Sequence, residues 1–410
     1  MNKIRLDFAA ASRFVDAKRV KQLYEKLPGL KLEPELLRQV VQPDERTYLQ
    51  IMASAQAIQQ ESEALLVLGV GGSQGGAKAF IEALNPKAMP VYFAGHSFSG
   101  HYLKALLEKL EHKDVSVIVI SKSGNTAETL LSFGVVRSWM QDKYDVEAPR
   151  RIYAVTGKKN NGGALGNIAA GEKYNRFYIP EGVGGRYSLF TAVGLLPMAA
   201  AGINIDEILA GAQEGLKEYG ITISEESPVT SYALWRTALY HAGYANELWV
   251  TYEPCLNGFG NWWRQLYVES ESKEGHGIYP VVAEYTNDLH FLGQYMREGP
   301  RNIFESILWL EEAPTRLPTH PDTATMIGWG DVSNMAAVIK KVMEQTASAH
   351  NEAGVPQLKL FLPKLSAFYL AKLAVYFATA CLISSGLQGI DPLNQPGVEE
   401  YKQQVRQILK

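Results

Sequence analysis

The sequence predicts an α/β protein with two units, each built on a parallel β-sheet with helices on its faces. Short apolar runs such as residues 65–70 and 115–120 alternate with helical stretches along the chain. Nearly continuous apolar strands that alternate with helices are typical of parallel sheets buried on both faces. A length of 410 residues with 46% hydrophobic residues is enough for two substantial cores.

Changes in this pattern predict the order of the units. We expect residues 1–45 to form a helical N-terminal extension, 46–195 the first α/β unit, 196–392 the second, and 393–410 a C-terminal helix. The expected strands of the two units are 65–70, 90–94, 115–120, 152–155, 248–252, 278–284, 303–310 and 358–362. The expected helices include 75–84, 102–110, 127–144, 205–219, 229–242, 261–271, 288–297 and 333–350. Residues 368–383 are apolar almost all round, but the run is short for a membrane span and Lys372 interrupts it, which favours a buried core helix.

The composition excludes several classes of function. The formal net charge of −3 argues against a nucleic-acid binder, which needs clustered positive charge. Two cysteines at positions 255 and 381 provide neither a disulfide framework nor the ligand spacing of a zinc site. We expect no signal peptide, no membrane association, and a cytoplasmic location.

A glycine-rich segment, LGVGGSQGG at residues 68–76, directly follows the first predicted strand. A glycine loop between a strand and a helix points backbone N–H groups at an anion, which makes Gly72 and Ser73 candidate ligands. The segment lacks the GK[ST] ending of a P-loop. A tight turn without any ligand is the alternative interpretation.

A second loop, SKSGNTAET at residues 121–129, also lies between a predicted strand and a predicted helix. Small hydroxyl and amide groups suit a phosphate, which accepts many hydrogen bonds. Two such loops on one sheet make a phosphosugar pocket more probable than two coincidental turns. The candidate ligands in this loop are Ser121, Lys122, Ser123, Asn125 and Thr126.

Three further segments carry candidate catalytic groups. Arg186 follows Gly185 in GVGGRYS, where a structural ion pair is the alternative role. Glu269 and Glu271 lie two positions apart in VESESK, and side chains two apart on a helix do not share a face, so at most one of them should act as a base. The remaining candidates are His290 in NDLHFLGQY, and Gln395 and Lys402 in NQPGVEEYK; a packed histidine and a helix start are their alternatives.

Taken together, these motifs resemble the phosphoglucose isomerase family in content and order over residues 65–402. The resemblance implies two sugar isomerase (SIS) domains, isomerisation of glucose 6-phosphate and fructose 6-phosphate through ring opening and a cis-enediol, and no metal or cofactor. It implies that Ser73, Ser121, Ser123 and Thr126 hold the phosphate, that Glu271 is the base, and that Arg186 stabilises the enediolate. It further implies that Lys402 and His290 assist ring opening, with His290 donated by the other subunit of a homodimer. Gly185 and Gln395 would contact the substrate, and the C-terminal helix 393–410 would close the active site.

Two other functions stay open at this stage. An isomerase that also accepts mannose 6-phosphate would use the same residues. A sugar-phosphate sensor without catalysis would keep the two phosphate loops but could lose Glu271, His290 and Lys402, all of which are present.

Overall fold

The computed structural model describes residues 3–30, 34–158, 162–220, 224, 227–312 and 317–408. The strands are β1 (Arg5–Asp7), β2 (Ala64–Leu68), β3 (Val91–Ala94), β4 (Val115–Ser121), β5 (Ile152–Gly157), β6 (Asn175–Ile179), β7 (Asn246–Thr251), β8 (Tyr279–Glu284), β9 (Ile303–Leu310) and β10 (Gln357–Leu362). The helices are α1 (Ala9–Ser12), α2 (Ala17–Lys26), α3 (Pro34–Val41), α4 (Glu45–Glu61), α5 (Gly75–Leu84), α6 (Gly100–Leu110), α7 (Ala127–Tyr144), α8 (Gly163–Gly171), α9 (Ala192–Ala200), α10 (Ile205–Tyr219), α11 (Pro228–His241), α12 (Asn257–Glu271), α13 (Leu289–Glu298), α14 (Thr323–Ile327), α15 (Met335–Glu352), α16 (Ala367–Leu387) and α17 (Pro396–Ile408).

The first sheet has the order β3-β2-β4-β5-β6, and every neighbouring pair is parallel. All residues of β2 and β4 are buried, because helices cover both faces of the sheet. The chain moves from β2 to β3 on one side and then to β4 on the other side of β2. Ligands bind at the carboxyl ends of strands where the strand order reverses in this way. The loops after β2 and β4 are the two segments that the sequence predicts to hold phosphate.

The second sheet repeats this arrangement with the order β1-β10-β9-β7-β8. Its strands β7 to β10 are parallel, whereas β1 pairs antiparallel with β10 through residues 5–7 and 359–361. The prediction of two α/β units with parallel sheets is confirmed. The N-terminal extension is not only helical, however, because its first strand joins the sheet of the second unit.

Helix α16 lies at the centre of the second unit. It is the one helix among the described residues that is long and apolar enough to cross a membrane, and 94% of its most hydrophobic window is buried inside the protein. Lys372 pairs with Glu218 of α10 at the edge of the core. Gly211 of α10 permits close contact, since a Cβ there would lie 2.1 Å from the carbonyl oxygen of Phe368. The predicted core helix is therefore confirmed as a buried element.

Candidate active site

The loop after β2 packs directly against the segment that carries Arg186. Residues Gly71–Ser73 form a short 3-10 helix, and a second one covers Gly185–Phe190. A Cβ on Gly72 would lie 2.3 Å from the carbonyl carbon of Gly185, a distance that no side chain tolerates. Glycine at position 72 thus lets the backbone of the first loop meet the backbone at Gly185 and Arg186.

The loop after β4 is held open by its own short side chains. The hydroxyls of Ser121 and Thr126 are 2.8 Å apart, and the backbone N–H of Asn125 donates to the Ser123 hydroxyl at 3.2 Å. Asn125 also accepts a hydrogen bond from the backbone of Ala164 at 3.1 Å, which anchors the loop to α8. Helix α7 begins immediately afterwards, and Thr126 makes no side-chain cap to it. The uncapped N–H groups of an 18-residue helix favour an anion at this point.

Arg186 is the most constrained cation of the region, with 1% of its side chain exposed. Its Nε donates to the Ser270 hydroxyl at 2.8 Å, its Nη1 to Glu269 at 3.2 Å, and its Nη2 to the carbonyl of Pro392. These three contacts reach two segments, the last turn of α12 and the loop at Pro392, and they fix the guanidinium plane in one orientation. A fixed guanidinium stabilises a negative charge without reorganising during the reaction.

Two lysines lie within the electric field of Arg186. Burial lowers the pKa of Lys122 and of Lys273, and the positive charge of Arg186 lowers both further. Lys122 belongs to the loop after β4, and Lys273 donates to the carbonyl of Asp391 in the last loop of the chain. Positive charge from three segments therefore converges on the crevice at the carboxyl ends of β2 and β4.

Glu269 provides the carboxylate of this crevice. Its side chain is 23% exposed, so solvent and ligands reach it. Gln265, one helical turn earlier on α12, donates to Oε1 at 2.7 Å, while Gln395 donates to Oε2 beside Arg186. Gln265 also touches the first loop, since a Cβ on Gly71 would lie 2.9 Å from its Nε2. The carboxylate is held in one orientation next to the loop after β2, and a general base needs such a fixed orientation.

Glu271, which the sequence analysis expects to be the base, lies in the core instead. None of its surface is exposed, and Arg236 Nη1 donates to both carboxylate oxygens at 2.8 and 2.6 Å. Ser384 donates to Oε1 as well. Burial raises the pKa of Glu271, and the charge of Arg236 acts against that shift. This placement argues against the expected role, because a carboxylate enclosed by protein cannot reach a substrate.

The spacing of apolar residues along α12 distinguishes the buried carboxylate from the accessible one. Trp263 and Tyr267 are fully buried, and Glu271 follows Tyr267 by four residues, which places it on the same face. Glu269 follows the half-buried Gln265 by the same interval. Extending the apolar pattern to the end of the helix identifies Glu269 as the carboxylate that faces the crevice.

The remaining candidates lie away from Glu269 within this chain. His290 is exposed near the start of α13 and lines a cavity of about 930 Å³ with Tyr252 and Glu284 at the carboxyl ends of β7 and β8. Lys402 is exposed on α17 and pairs with Glu399 at 2.8 Å. No contact joins either side chain to Glu269 or Arg186 among the residues that the structure describes. In that same part of the chain, no group of three acidic, histidine or cysteine residues could hold a metal ion.

Comparisons with known proteins identify a matching family, curated relatives and similar solved structures. The family model described as phosphoglucose isomerase matches residues 46–300. A glucose-6-phosphate isomerase of Alkaliphilus metalliredigens is 41% identical over 380 residues, which cover 89% of this chain and 84% of that protein. The crystal structure of the hypothetical protein TT0462 from Thermus thermophilus superposes with a TM-score of 0.87 at 26% identity, over 99% of this chain and 100% of that one. A glucose-6-phosphate isomerase of Chlamydia trachomatis shares the fold, with a TM-score of 0.78 at 17% identity over 98% of this chain and 84% of that one.

Proposed function

The chain belongs to the phosphoglucose isomerase family, and we propose that its crevice interconverts glucose 6-phosphate and fructose 6-phosphate through ring opening and a cis-enediol. The observation that carries this proposal is the meeting of Glu269, Arg186 and the two polar loops at the carboxyl ends of β2 and β4. The reaction is a step of glycolysis and gluconeogenesis, and we place the enzyme in the cytoplasm.

The phosphate group binds between the loops after β2 and β4. The hydroxyls of Ser73, Ser123 and Thr126 donate to it, together with backbone N–H groups that include the start of α7. Ser121 is buried and bonds to Thr126, so it supports the loop and helps to orient the Thr126 hydroxyl. The ammonium group of Lys122 adds charge at the rim. This binding energy holds C1 and C2 of the open sugar against the base, although the phosphate itself does not react.

Glu269 is the base in our proposal. Its carboxylate removes the proton from C2 of the aldose or from C1 of the ketose, and the resulting carboxylic acid delivers a proton to the other carbon. The proton that the acid carries can exchange with solvent before that delivery. One carboxylate is sufficient because the two carbons are adjacent in a planar cis-enediol. The two glutamines that donate to Glu269 restrict its rotation. Oε1 accepts one hydrogen bond, from Gln265, whereas Oε2 accepts two, from Arg186 and Gln395. A carboxylate has about four acceptor sites, so Oε1 keeps one lone pair for the proton of the substrate.

Arg186 stabilises the negative charge that develops on the enediolate oxygens. Its guanidinium already lies 3.2 Å from Glu269, so it adjoins the carbon atoms from which that residue takes the proton. A charge fixed before the reaction begins favours the transition state over the neutral substrate. Gln395 closes the pocket from the side of the C-terminal segment.

Ring opening needs a proton donor and an acceptor at the ring oxygen and at O1, and we assign these roles to His290 and Lys402. His290 lies outside the crevice of its own chain, which agrees with donation by the second subunit of a homodimer. The exposed position of His290 on α13 leaves it accessible to such a partner. Lys402 is carried by α17, which begins next to Gln395 and so adjoins the same pocket.

A coupled assay of the purified chain tests the proposed activity in both directions. We expect turnover of fructose 6-phosphate and glucose 6-phosphate, with mannose 6-phosphate assayed in parallel. Comparable turnover of mannose 6-phosphate would assign a broader isomerase. Binding of fructose 6-phosphate without any turnover would contradict catalysis and support a sensor.

Mixing two inactive variants tests the donation of His290. We expect His290→Ala and Glu269→Gln to recover activity together, because a mixed dimer has one site with both residues intact and one with neither. Random exchange gives about a quarter of the wild-type activity. The control is a chain that carries both substitutions, which should restore nothing when mixed with either single variant. No recovery after demonstrated subunit exchange would contradict sharing of this residue.

A further inference from the structure

Arg236 of α11 is an arginine enclosed entirely by protein, with none of its side chain exposed. Its Nε donates to Glu247 of β7, and its Nη1 donates to both oxygens of Glu271 at 2.8 and 2.6 Å. The guanidinium also lies over the ring of Tyr267, 4.1 Å from the ring centre. The two carboxylates and the ring hold the arginine from three sides.

Glu271 connects this arginine to two other helices. It is the last residue of α12, and it accepts a hydrogen bond from Ser384 near the end of α16. Helix α16 leads into residues 388–395, the segment whose Pro392 and Gln395 contact Arg186 and Glu269. One carboxylate therefore joins the end of the helix that bears Glu269 to the segment that closes the crevice.

The residues immediately before Glu271 belong to the proposed active site. Glu269 is the proposed base. Ser270 accepts a hydrogen bond from Arg186 at 2.8 Å, and its hydroxyl lies 3.2 Å from that of Tyr187. A small rotation of the last turn of α12 would displace Glu269 and would weaken the contact that orients Arg186. The phosphate loops after β2 and β4 make no hydrogen bond to Arg236, Glu271 or Ser384 in the described part of the chain.

We propose that Arg236 and Glu271 are positioning residues: their buried ion pair fixes the last turn of α12 and thereby sets the alignment of Glu269 and Arg186 on the sugar carbons. This inference rests on the proposed function of those two residues. It also explains the ion pair, which is a poor means of stabilising a core. Apolar residues of equal volume often give a core that is at least as stable. A guanidinium that donates to both oxygens of a carboxylate, by contrast, fixes the orientation of the two side chains relative to each other.

The charge of the cluster decides which variants are informative. Two carboxylates, Glu247 and Glu271, share one guanidinium in the core, so the three groups carry one excess negative charge when all are ionised. Glu271→Gln removes that excess and keeps an acceptor for Arg236 and Ser384. Arg236→Lys keeps the positive charge but loses the planar fork. Glu271→Gln should therefore fold as well as the wild type. Arg236→Lys tests whether the fixed orientation of the hydrogen bonds to Glu271 is needed for catalysis.

The test compares kcat, KM for fructose 6-phosphate and the inhibition constant of inorganic phosphate in these variants, with the melting temperature as a check of folding. We expect Arg236→Lys to lower kcat about a hundredfold, the effect of a misplacement of about 1 Å, while the phosphate inhibition constant stays within about twofold because the loops are untouched. Glu271→Gln should lower kcat less than about tenfold, since the contacts survive in weaker form. Where Arg236→Lys fails to fold, Ser384→Ala replaces it, because this variant removes the hydrogen bond from α16 to Glu271. We then expect a lower kcat with an unchanged phosphate inhibition constant.

Three results would overturn the inference. One is a wild-type kcat in folded Arg236→Lys or, where that variant fails to fold, in Ser384→Ala. Another is an equal loss of kcat and phosphate affinity, which indicates general loosening of the protein. The third is a loss in Glu271→Gln as large as the loss in Glu269→Gln, which would make Glu271 the base. Absence of turnover by the wild type would instead overturn the proposed function, and this inference with it.

Discussion

Glu269→Gln is expected to lower kcat for fructose 6-phosphate by about 10⁴-fold, the upper end of what general acid–base catalysis contributes. An amide has the size of the carboxylate and keeps one oxygen acceptor for Gln265, Gln395 or Arg186. It cannot take a proton from carbon, however, so the chemical step fails while the crevice keeps its shape. KM should change little, because the phosphate loops that supply most of the binding are separate from this side chain.

Glu271→Gln is the matched control, since it makes the same chemical change two residues further along α12. The comparison is direct because both residues lie in one turn and both contact an arginine. Isotope exchange between solvent and C2 of the substrate should disappear in Glu269→Gln and persist in Glu271→Gln. The reverse pattern would assign the base to Glu271.

The second large effect is expected at Arg186. Arg186→Lys keeps one positive charge but cannot reach Ser270, Glu269 and Pro392 together, because a lysine has one nitrogen in place of three. We expect kcat to fall by about 10² to 10³-fold, as for the loss of one preorganised donor to a developing oxyanion. Affinity for a five-carbon enediolate mimic should fall by a similar factor, whereas the affinity for inorganic phosphate should stay close to that of the wild type.

Arg151→Lys serves as the control for this substitution. Arg151 is also buried, and its Nη1 donates to the carbonyl of Glu61 at 2.6 Å at the amino-terminal edge of the first sheet, opposite the crevice. A similar loss of kcat in both variants would show that the Arg186 effect is one of stability. Melting temperatures of the two variants separate these explanations further.

Much of the fold could be predicted because its signals are local. Apolar runs identify β2, β4 and β9, and the changes between strand and helix patterns give the order of the two sheets. The sequence does not predict strand β6, which lies at the edge of its sheet. Three of its five residues are exposed, so it has no continuous apolar run. Strand β1 has three residues and pairs with a strand more than 350 positions away, so nothing near it in the sequence predicts a strand.

The candidate site divides in the same way. The positions of the glycine and hydroxyl loops could be predicted because each loop lies between a strand and a helix that adjacent residues identify. The motif around VESESK favours Glu271 as the base. Which of the two carboxylates faces the crevice depends instead on the apolar pattern along the whole of α12. The sequence does not predict the burial of Arg236, because an arginine in a helix is usually exposed. Its burial results from the packing of α12 and β7 against α11.

The pairing of β1 with β10 has a consequence for synthesis of the chain. The ribosome makes residues 5–7 more than 350 residues before their partners, residues 359–361. The first sheet has all of its strands once residue 179 has emerged, so it is able to fold early as a unit. The second sheet keeps an open edge until most of the polypeptide has been translated. The segments bearing Pro392 and Gln395 emerge later still, so a nascent chain acquires the loops of the proposed phosphate site long before it acquires all residues of the proposed catalytic centre.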